Sequence, residues 1–324
     1  MVNKIEISDI GGPEVLEIVE VDPGDPGPGE AFVRHTAVGL NFIDTYHRTG
    51  LYPLEMPSGL GIEAAGVVEK IGPGVTEVSP GDRIAYAGGP VGAYSQARVM
   101  PTAVLVPLPD EISDSQAAAM MIKGLTAQYL LRQTYVVKAG DTVLIHAAAG
   151  GVGLLLCQWA AHLGATVIGT VGSDEKASAA RAGGCHHVIV YNRENFVERV
   201  RELTEGVGVP VVYDSVGKAT WEGSLDCLRP RGLMVSFGNA SGPVPAFEPG
   251  ILALKGSLFV TRPTLFSYAS TREELLAMSE ELFDVVLSGA VKVSIRQTFP
   301  LADVAEAHRA LEARETTGST VLIP

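Results

Sequence analysis

The run Thr142-Val143-Leu144-Ile145-His146-Ala147-Ala148-Ala149-Gly150-Gly151-Val152-Gly153 constrains the fold of this chain more than any other. It reads as a short apolar strand, a glycine-rich turn and the first turn of a helix, and it matches GxGxxG with Ala148 at the first glycine. Gly150 and Gly151 let backbone approach a pyrophosphate, and Gly153 lets the helix pack close to the strand. The helix N-terminus presents unpaired N–H groups to the same anion. The motif heads an alternating array. Apolar strands are expected at 142–146, 166–171, 187–191, 210–214, 232–237 and 256–261, with helices such as 153–163 and 194–205 between them. Apolar strands alternating with helices form a parallel sheet covered on both faces. In that setting the glycine turn denotes a dinucleotide site rather than an ordinary tight turn.

The end of the second strand tells which dinucleotide is expected. An NAD site places a carboxylate there to bond the ribose 2′-hydroxyl. Here the strand ends on Val171-Gly172-Ser173, and Asp174 falls in the turn that follows. Gly172 and Ser173 leave room for a 2′-phosphate, Lys176 supplies a positive charge and Tyr191 a hydroxyl, so NADPH is preferred over NADH.

Residues 1 to about 124 have a different character. Short β-rich runs such as 31–38 and 65–74 alternate with Gly/Pro turns such as Pro23-Gly24-Asp25-Pro26-Gly27-Pro28-Gly29, as in a barrel-like β domain. After Thr271 the β/α alternation ends. Thr271-Arg272-Glu273-Glu274 forms a capping box for a helix to about 287. A strand at 291–295, a helix at 302–313 and a strand at 319–323 follow, and they are expected to return to the first domain. The 37 glycines among 324 residues serve these turns and the dinucleotide turn.

The net charge of −13 argues against nucleic acid or an anionic membrane as partner. Cys157, Cys185 and Cys227 are too scattered for a disulfide framework, and no CxxC or CxxH pair marks a structural zinc. The N-terminus lacks a signal-peptide pattern. The charge-free stretch 142–173 exceeds a membrane span of ~20 residues, but its glycines and changing periodicity mark buried core. A cytoplasmic protein without membrane segments is expected. His146 ends a buried strand and reads as a satisfied core histidine.

Taken together, the motifs resemble the zeta-crystallin-like quinone oxidoreductase branch of the medium-chain dehydrogenase/reductase superfamily, zinc-free. The carriers run from end to end: Gly39-Leu40-Asn41-Phe42-Ile43-Asp44, Gly61-Ile62-Glu63-Ala64-Ala65-Gly66, Lys123-Gly124-Leu125-Thr126-Ala127, His146 to Gly153, Val212-Tyr213-Asp214-Ser215-Val216-Gly217, Ser236-Phe237-Gly238, and Val260-Thr261-Arg262-Pro263. The resemblance implies an α/β fold in which a Rossmann doubly wound parallel sheet is inserted into a GroES-like β-barrel domain. It assigns 1–124 to the catalytic domain, 125–261 to the NADPH-binding domain and 262–324 to a segment returning to the catalytic domain. The cofactor is implied to lie in the cleft between the two domains.

It also implies site residues. Asn41, Asp44, Tyr46, Tyr52, Thr126 and Tyr129 would line the nicotinamide end. Gly151, Val152, Gly172, Ser173, Lys176 and Tyr191 would hold the phosphates, while Ser215, Phe237, Gly238, Val260, Arg262 and Arg314 would complete the far wall. Tyr46 and Tyr52, in the loop after Asn41, either wall the acceptor or merely cover the barrel, and Asp44 either orients ligand or caps a local turn. Zinc alcohol dehydrogenases of the superfamily carry Gly-His-Glu where this chain has Gly61-Ile62-Glu63, and an early cysteine ligand where it has Asn41. No metal is therefore expected, and without a Lewis acid the acceptor should be a quinone or an α,β-unsaturated carbonyl, with a quinone the leading reading. An enone or 2-alkenal reductase is the nearest rival, and a non-catalytic NADPH-binding protein, crystallin-like or RNA-binding, is the alternative of another class. The apolar run 256–261 reads as an edge strand, and the resemblance implies that it pairs with its twin in a homodimer.

Overall fold

A computed structural model describes all 324 residues. The chain divides into two compact units. One comprises Met1–Leu125, Ala269–Leu287 and Val293–Pro324, and the other Thr126–Tyr268 and Ser288–Lys292.

The second unit is built on a parallel sheet. Its strands lie in the spatial order His187–Val190, Thr166–Val171, Thr142–Ile145, Val209–Asp214, Leu228–Ser236 and Phe259–Thr261. Numbered by appearance in the chain, that order is 3-2-1-4-5-6, the doubly wound arrangement, and every pairing is parallel. The helices Gly151–His162, Asp174–Ala182, Phe196–Leu203 and Trp221–Cys227 provide the crossovers. Leu144, Ile168, Val212 and Met234 are fully buried, as strands covered on both faces require. The charge-free stretch supplies much of this core, and no helix is long and apolar enough to cross a membrane.

The first unit is mostly antiparallel. The path Ile295–Pro300, Ser319–Ile323, Glu30–Leu40, Glu63–Ile71, Arg83–Ala87 and Val106–Pro107 forms its main sheet, with Ala97–Pro101 also pairing with Glu30–Leu40. A smaller sheet joins Glu17–Val21, Val2–Ile7 and Ser58–Gly59. In Glu30–Leu40 an irregularity between His35 and Ala37 shifts the alternation by one residue, so that Val33 before it and Val38 after it both enter the core beside Leu60, Ile84 and Tyr86. Leu322 from the last strand pairs with Val38 and is equally buried, so the chain end contributes to this core.

Three expected elements differ in the structure. The strand expected at 291–295 lies instead at Ile295–Pro300, because its position is fixed by parallel pairing with Ser319–Ile323 rather than by local alternation. The edge strand shortens from 256–261 to Phe259–Thr261. Gly256 (φ 112°) and Ser257 (φ 56°) occupy left-handed backbone that cannot belong to an extended strand. Tyr46 lies not in a loop but in the helix Phe42–Arg48, which Asn41 and Asp44 start. The capping box at Thr271 forms as read. Thr271 N–H donates to Glu274 Oε2 at 3.1 Å and Glu274 N–H to Thr271 Oγ1 at 3.2 Å, opening the helix Arg272–Leu287.

Candidate functional site

Within the second unit, the candidate residues collect at the carboxyl ends of the parallel strands, where open α/β sheets bind ligands. The sheet order reverses between Thr142–Ile145 and Val209–Asp214, and the glycine turn leaves the first of these. Gly150 caps the twelve-residue helix Gly151–His162 with extended backbone. A Cβ on Gly153 would stand 2.2 Å from the Ala147 carbonyl oxygen, so only glycine permits this close crossing of helix and turn. Gly151 and Val152 open the helix, whose first N–H groups and dipole favour an anion.

The second strand ends at Val171. Gly172 follows, then Ser173, whose hydroxyl caps the helix Asp174–Ala182 by accepting the Lys176 N–H at 3.3 Å. Lys176 is thus the third residue of that helix, and a Cβ on Gly172 would lie 2.8 Å from the Tyr191 hydroxyl. Gly172, Ser173, Lys176 and Tyr191 therefore occupy one neighbourhood. Asp174 does not point a lone carboxylate at it: both its oxygens are taken by Arg193, at 2.7 and 3.0 Å. Arg193 and Asn192, whose amide donates to the Gly172 carbonyl at 2.7 Å, escaped sequence reading because they lie beyond the third strand.

At the fourth and fifth strand ends, Ser215 and Gly238 meet so closely that a Cβ on Gly238 would stand 2.5 Å from the Ser215 carbonyl oxygen. Phe237 N–H donates to Asp214 O at 2.8 Å. Arg262, just past the edge strand that holds Val260, donates to the Ser236 carbonyl at 2.9 Å. Thr126 and Tyr129 are buried on the helix Asp114–Tyr129, and the Tyr129 ring stacks on Tyr268 at 4.5 Å between centroids. His146 is held at both ring nitrogens, by Thr170 at 2.8 Å and Ser224 at 3.0 Å, and burial pushes it below the usual histidine value. It is a core residue.

Within the first unit, the helix Phe42–Arg48 positions the remaining candidates. Asp44 Oδ2 accepts the Asn41 N–H at 2.8 Å, so Asp44 does cap the helix. It is also completely buried, accepts the Tyr94 hydroxyl at 2.8 Å on the same oxygen, and keeps Oδ1 without a partner. Burial pushes its carboxyl up to about 7 against those two donors. Tyr46 and Tyr52 are half-buried with ring centroids 5.3 Å apart, edge to face. Arg314 is exposed just beyond the helix Val304–Glu312.

Sequence reading gave Glu63 and Lys123 no role, yet they form the other half of this centre. Glu63 is fully buried. It accepts the Asn41 side-chain amide at 2.7 Å, Lys123 Nζ at 3.2 Å and the Ile122 N–H at 2.7 Å. Three donated hydrogens occupy this carboxylate, two on Oε2 and one on Oε1, the buried Lys123 ammonium stands against it, and Ile62 offers no lone pair. These residues do not fit a zinc ion, which binds through carboxylate, thiolate or imidazole lone pairs. No group of three or more His, Cys, Asp or Glu side chains is placed to hold a metal.

Residues 27–110 match the family model described as alcohol dehydrogenase GroES-like domain, and 151–288 that described as zinc-binding dehydrogenase. The chain is 59% identical, over the whole length of both, to a quinone oxidoreductase of Pseudomonas aeruginosa. The chain belongs to the quinone oxidoreductase family of the medium-chain dehydrogenases/reductases. Among solved structures, Escherichia coli quinone oxidoreductase complexed with NADPH superposes with a TM-score of 0.98 at 54% identity, covering 99% of this chain and 100% of that one. A further relative, the 2-haloacrylate reductase of a Burkholderia species, is 51% identical over 97% of this chain and 96% of its own length. The family's fold, a Rossmann sheet with a GroES-like domain, is the architecture described above.

Proposed function

We propose that this chain transfers a hydride from NADPH to a quinone without a metal ion. The observation that carries the proposal is Glu63, buried and committed to three donors of the protein itself. With Asn41, Ile122 and Lys123 all donating to it, the Gly61-Ile62-Glu63 segment forms a closed polar cluster instead of a Lewis-acid centre. An acceptor handled here must be electrophilic without metal help, and a quinone is. When bound, NADPH supplies the hydride from its nicotinamide ring. In this reading Gly150, Gly151, Val152 and Gly153 hold the pyrophosphate, and Gly172, Ser173, Lys176 and Tyr191 the adenosine phosphate. Thr126, Tyr129, Ser215, Phe237, Gly238, Val260, Arg262 and Arg314 border the rest of the cofactor. Asn41, Asp44, Tyr46 and Tyr52 face the reacting end, orienting the acceptor and excluding water. Residues 1–124 with 262–324 then act as the catalytic domain and 125–261 as the NADPH domain.

The 2-haloacrylate reductase relative favours a second reading, reduction of an activated C=C bond. A panel of 1,4-quinones, enones and 2-alkenals, followed by NADPH loss at 340 nm, separates the two. We expect kcat/KM at least tenfold higher for a quinone. Turnover confined to alkenals would replace the quinone reading, and turnover of any acceptor would remove a non-catalytic role.

The proposal includes a homodimer formed at the edge strand. Phe259 is 61% exposed on an open strand edge, a surface that needs covering. Light scattering at micromolar concentration is expected to give twice the chain mass, and Phe259→Glu to give the monomer mass. A monomeric natural chain would rule the dimer out. Cytoplasmic residence belongs to the same proposal, supported by three cysteines that form no disulfide.

A further inference from the structure

Ala147 opens the glycine turn with φ 52°, in the left-handed backbone region that residues bearing a Cβ disfavour by about tenfold. Such a conformation persists only where the surroundings over-determine it. The residue before it is held on every side. His146 N–H donates to the Tyr213 carbonyl at 3.0 Å. Its ring belongs to a polar chain in which each hydrogen can be assigned. Ser224 has a single hydroxyl hydrogen, which Asp214 Oδ2 accepts at 2.8 Å, so its oxygen accepts from His146 Nε2–H at 3.0 Å. His146 Nδ1 then carries no hydrogen and accepts the Thr170 hydroxyl at 2.8 Å. Asp214, at the far end, is anchored by the Val216 and Gly217 N–H groups and the Thr220 hydroxyl, at 2.7, 3.0 and 2.7 Å.

We propose that His146 is a positioning residue for NADPH: its ring, bridging Thr170 and Ser224, holds Ala147 left-handed and so keeps the glycine turn in its binding conformation before the cofactor arrives. The inference rests on the reading that this turn holds the pyrophosphate. Thr170 grips the turn on both sides of Ala147. Its hydroxyl bonds the His146 ring, and its carbonyl accepts the Ala148 N–H at 3.1 Å. Ala147 therefore stands between two residues tied to one point. Returning it to right-handed or extended backbone would redirect the chain between them and break one of the two bonds. It would also swing the Ala147 carbonyl, which accepts the Gly150 N–H at 2.9 Å and beside which only a glycine fits at position 153.

The anchors sit where three strands run into the candidate site. His146 leads into the glycine turn, Thr170 precedes Val171-Gly172, and Asp214 precedes Ser215. His146, Thr170, Asp214 and Ser224 are all buried, and the Phe196 ring packs edge-on against the imidazole at 5.1 Å between centroids. Burial outweighs the Asp214 charge and holds His146 below the usual histidine value, so the ring stays neutral in the tautomer that both hydroxyls require. The role is geometric and asks for no proton exchange with ligand or solvent. Without the ring bonds Ala147 would visit other backbone regions in the free protein. Cofactor affinity would then fall by the fraction of chains that keep the competent turn, while turnover at saturating NADPH would not change.

The test reads the Kd of NADPH from its fluorescence on binding, without acceptor, with thermal midpoints to confirm folding and kcat at saturating NADPH. His146→Leu removes both ring bonds and should raise Kd about tenfold while leaving kcat within about twofold. Ala147→Gly, which takes φ 52° without strain, should bring the His146→Leu value back to within about threefold of the natural one. His146→Asn keeps an acceptor toward Thr170 and His146→Gln a donor toward Ser224. Both should fall between, and both should be relieved by Ala147→Gly, which decides the proposal even if the leucine variant does not fold. A natural Kd in the folded His146 variants, or a raised Kd that Ala147→Gly fails to relieve, overturns the proposal and leaves His146 a packing residue. Gly150→Asp tests the parent reading separately. Aspartate is a favourable helix N-cap, yet its charge opposes a pyrophosphate, so Kd should rise at an undiminished thermal midpoint. An unchanged Kd in that variant overturns the site reading and this inference together.

Discussion

Lys176→Ala is expected to lower kcat/KM for NADPH by about 10- to 100-fold while leaving that for NADH within about twofold. A charge-assisted contact to a phosphate is worth about 1.5–3 kcal/mol, and only NADPH carries the 2′-phosphate that would receive it. The local structure sharpens the expectation. Lys176 is the third residue of a helix capped by Ser173, so its position relative to the strand end is set by backbone rather than by a flexible loop. Asp174, which would repel a phosphate, is neutralised by Arg193. Steady-state kinetics with both cofactors at fixed quinone and ionic strength checks this. An unchanged NADPH/NADH ratio would show that Lys176 is only a solvated helix lysine.

The second large effect concerns stability. Glu63→Gln is expected to destabilise the first unit by about 3–5 kcal/mol, because it leaves the Lys123 ammonium buried without its counter-charge. The pair is almost completely enclosed, with 6% and 0% side-chain exposure. The new amide would also present hydrogens to a site where Asn41 and Lys123 already donate. With a slope of about 3 kcal/mol per molar urea, the midpoint should fall by about 1–2 M. The double variant Glu63→Gln with Lys123→Met should recover most of the loss, since it removes the stranded charge. A single variant as stable as the natural chain would contradict this account of the cluster.

Legibility from sequence followed the range of the interactions involved. The Rossmann half could be read because its signals are local: an apolar run, a glycine turn and a helix recur within about thirty residues. Gly153 announces a backbone contact a few positions away. The edge strand was placed correctly in the order but made too long, since nothing local marks Ser257 as left-handed. The strand near 295 was misplaced because the Val-Lys-Val-Ser-Ile alternation at 291–295 is as regular as the pairing segment that follows it. The polar centre behind Asp44 was invisible for a stronger reason. Tyr94 lies 50 residues from Asp44, and no periodicity links them. Asn41 and Asp44 entered through the family resemblance alone, and Glu63, Lys123 and Arg193 acquired roles only once their partners were placed.

The central claim is hydride transfer from NADPH to a quinone with no metal ion involved. Its most direct measurement is the rate of NADPH oxidation at 340 nm with 1,4-naphthoquinone, in protein dialysed against a strong chelator and again after zinc is added back. The account predicts one NADPH consumed per quinone reduced, at the same rate in both samples. Turnover that vanishes on chelation and returns with zinc would contradict it.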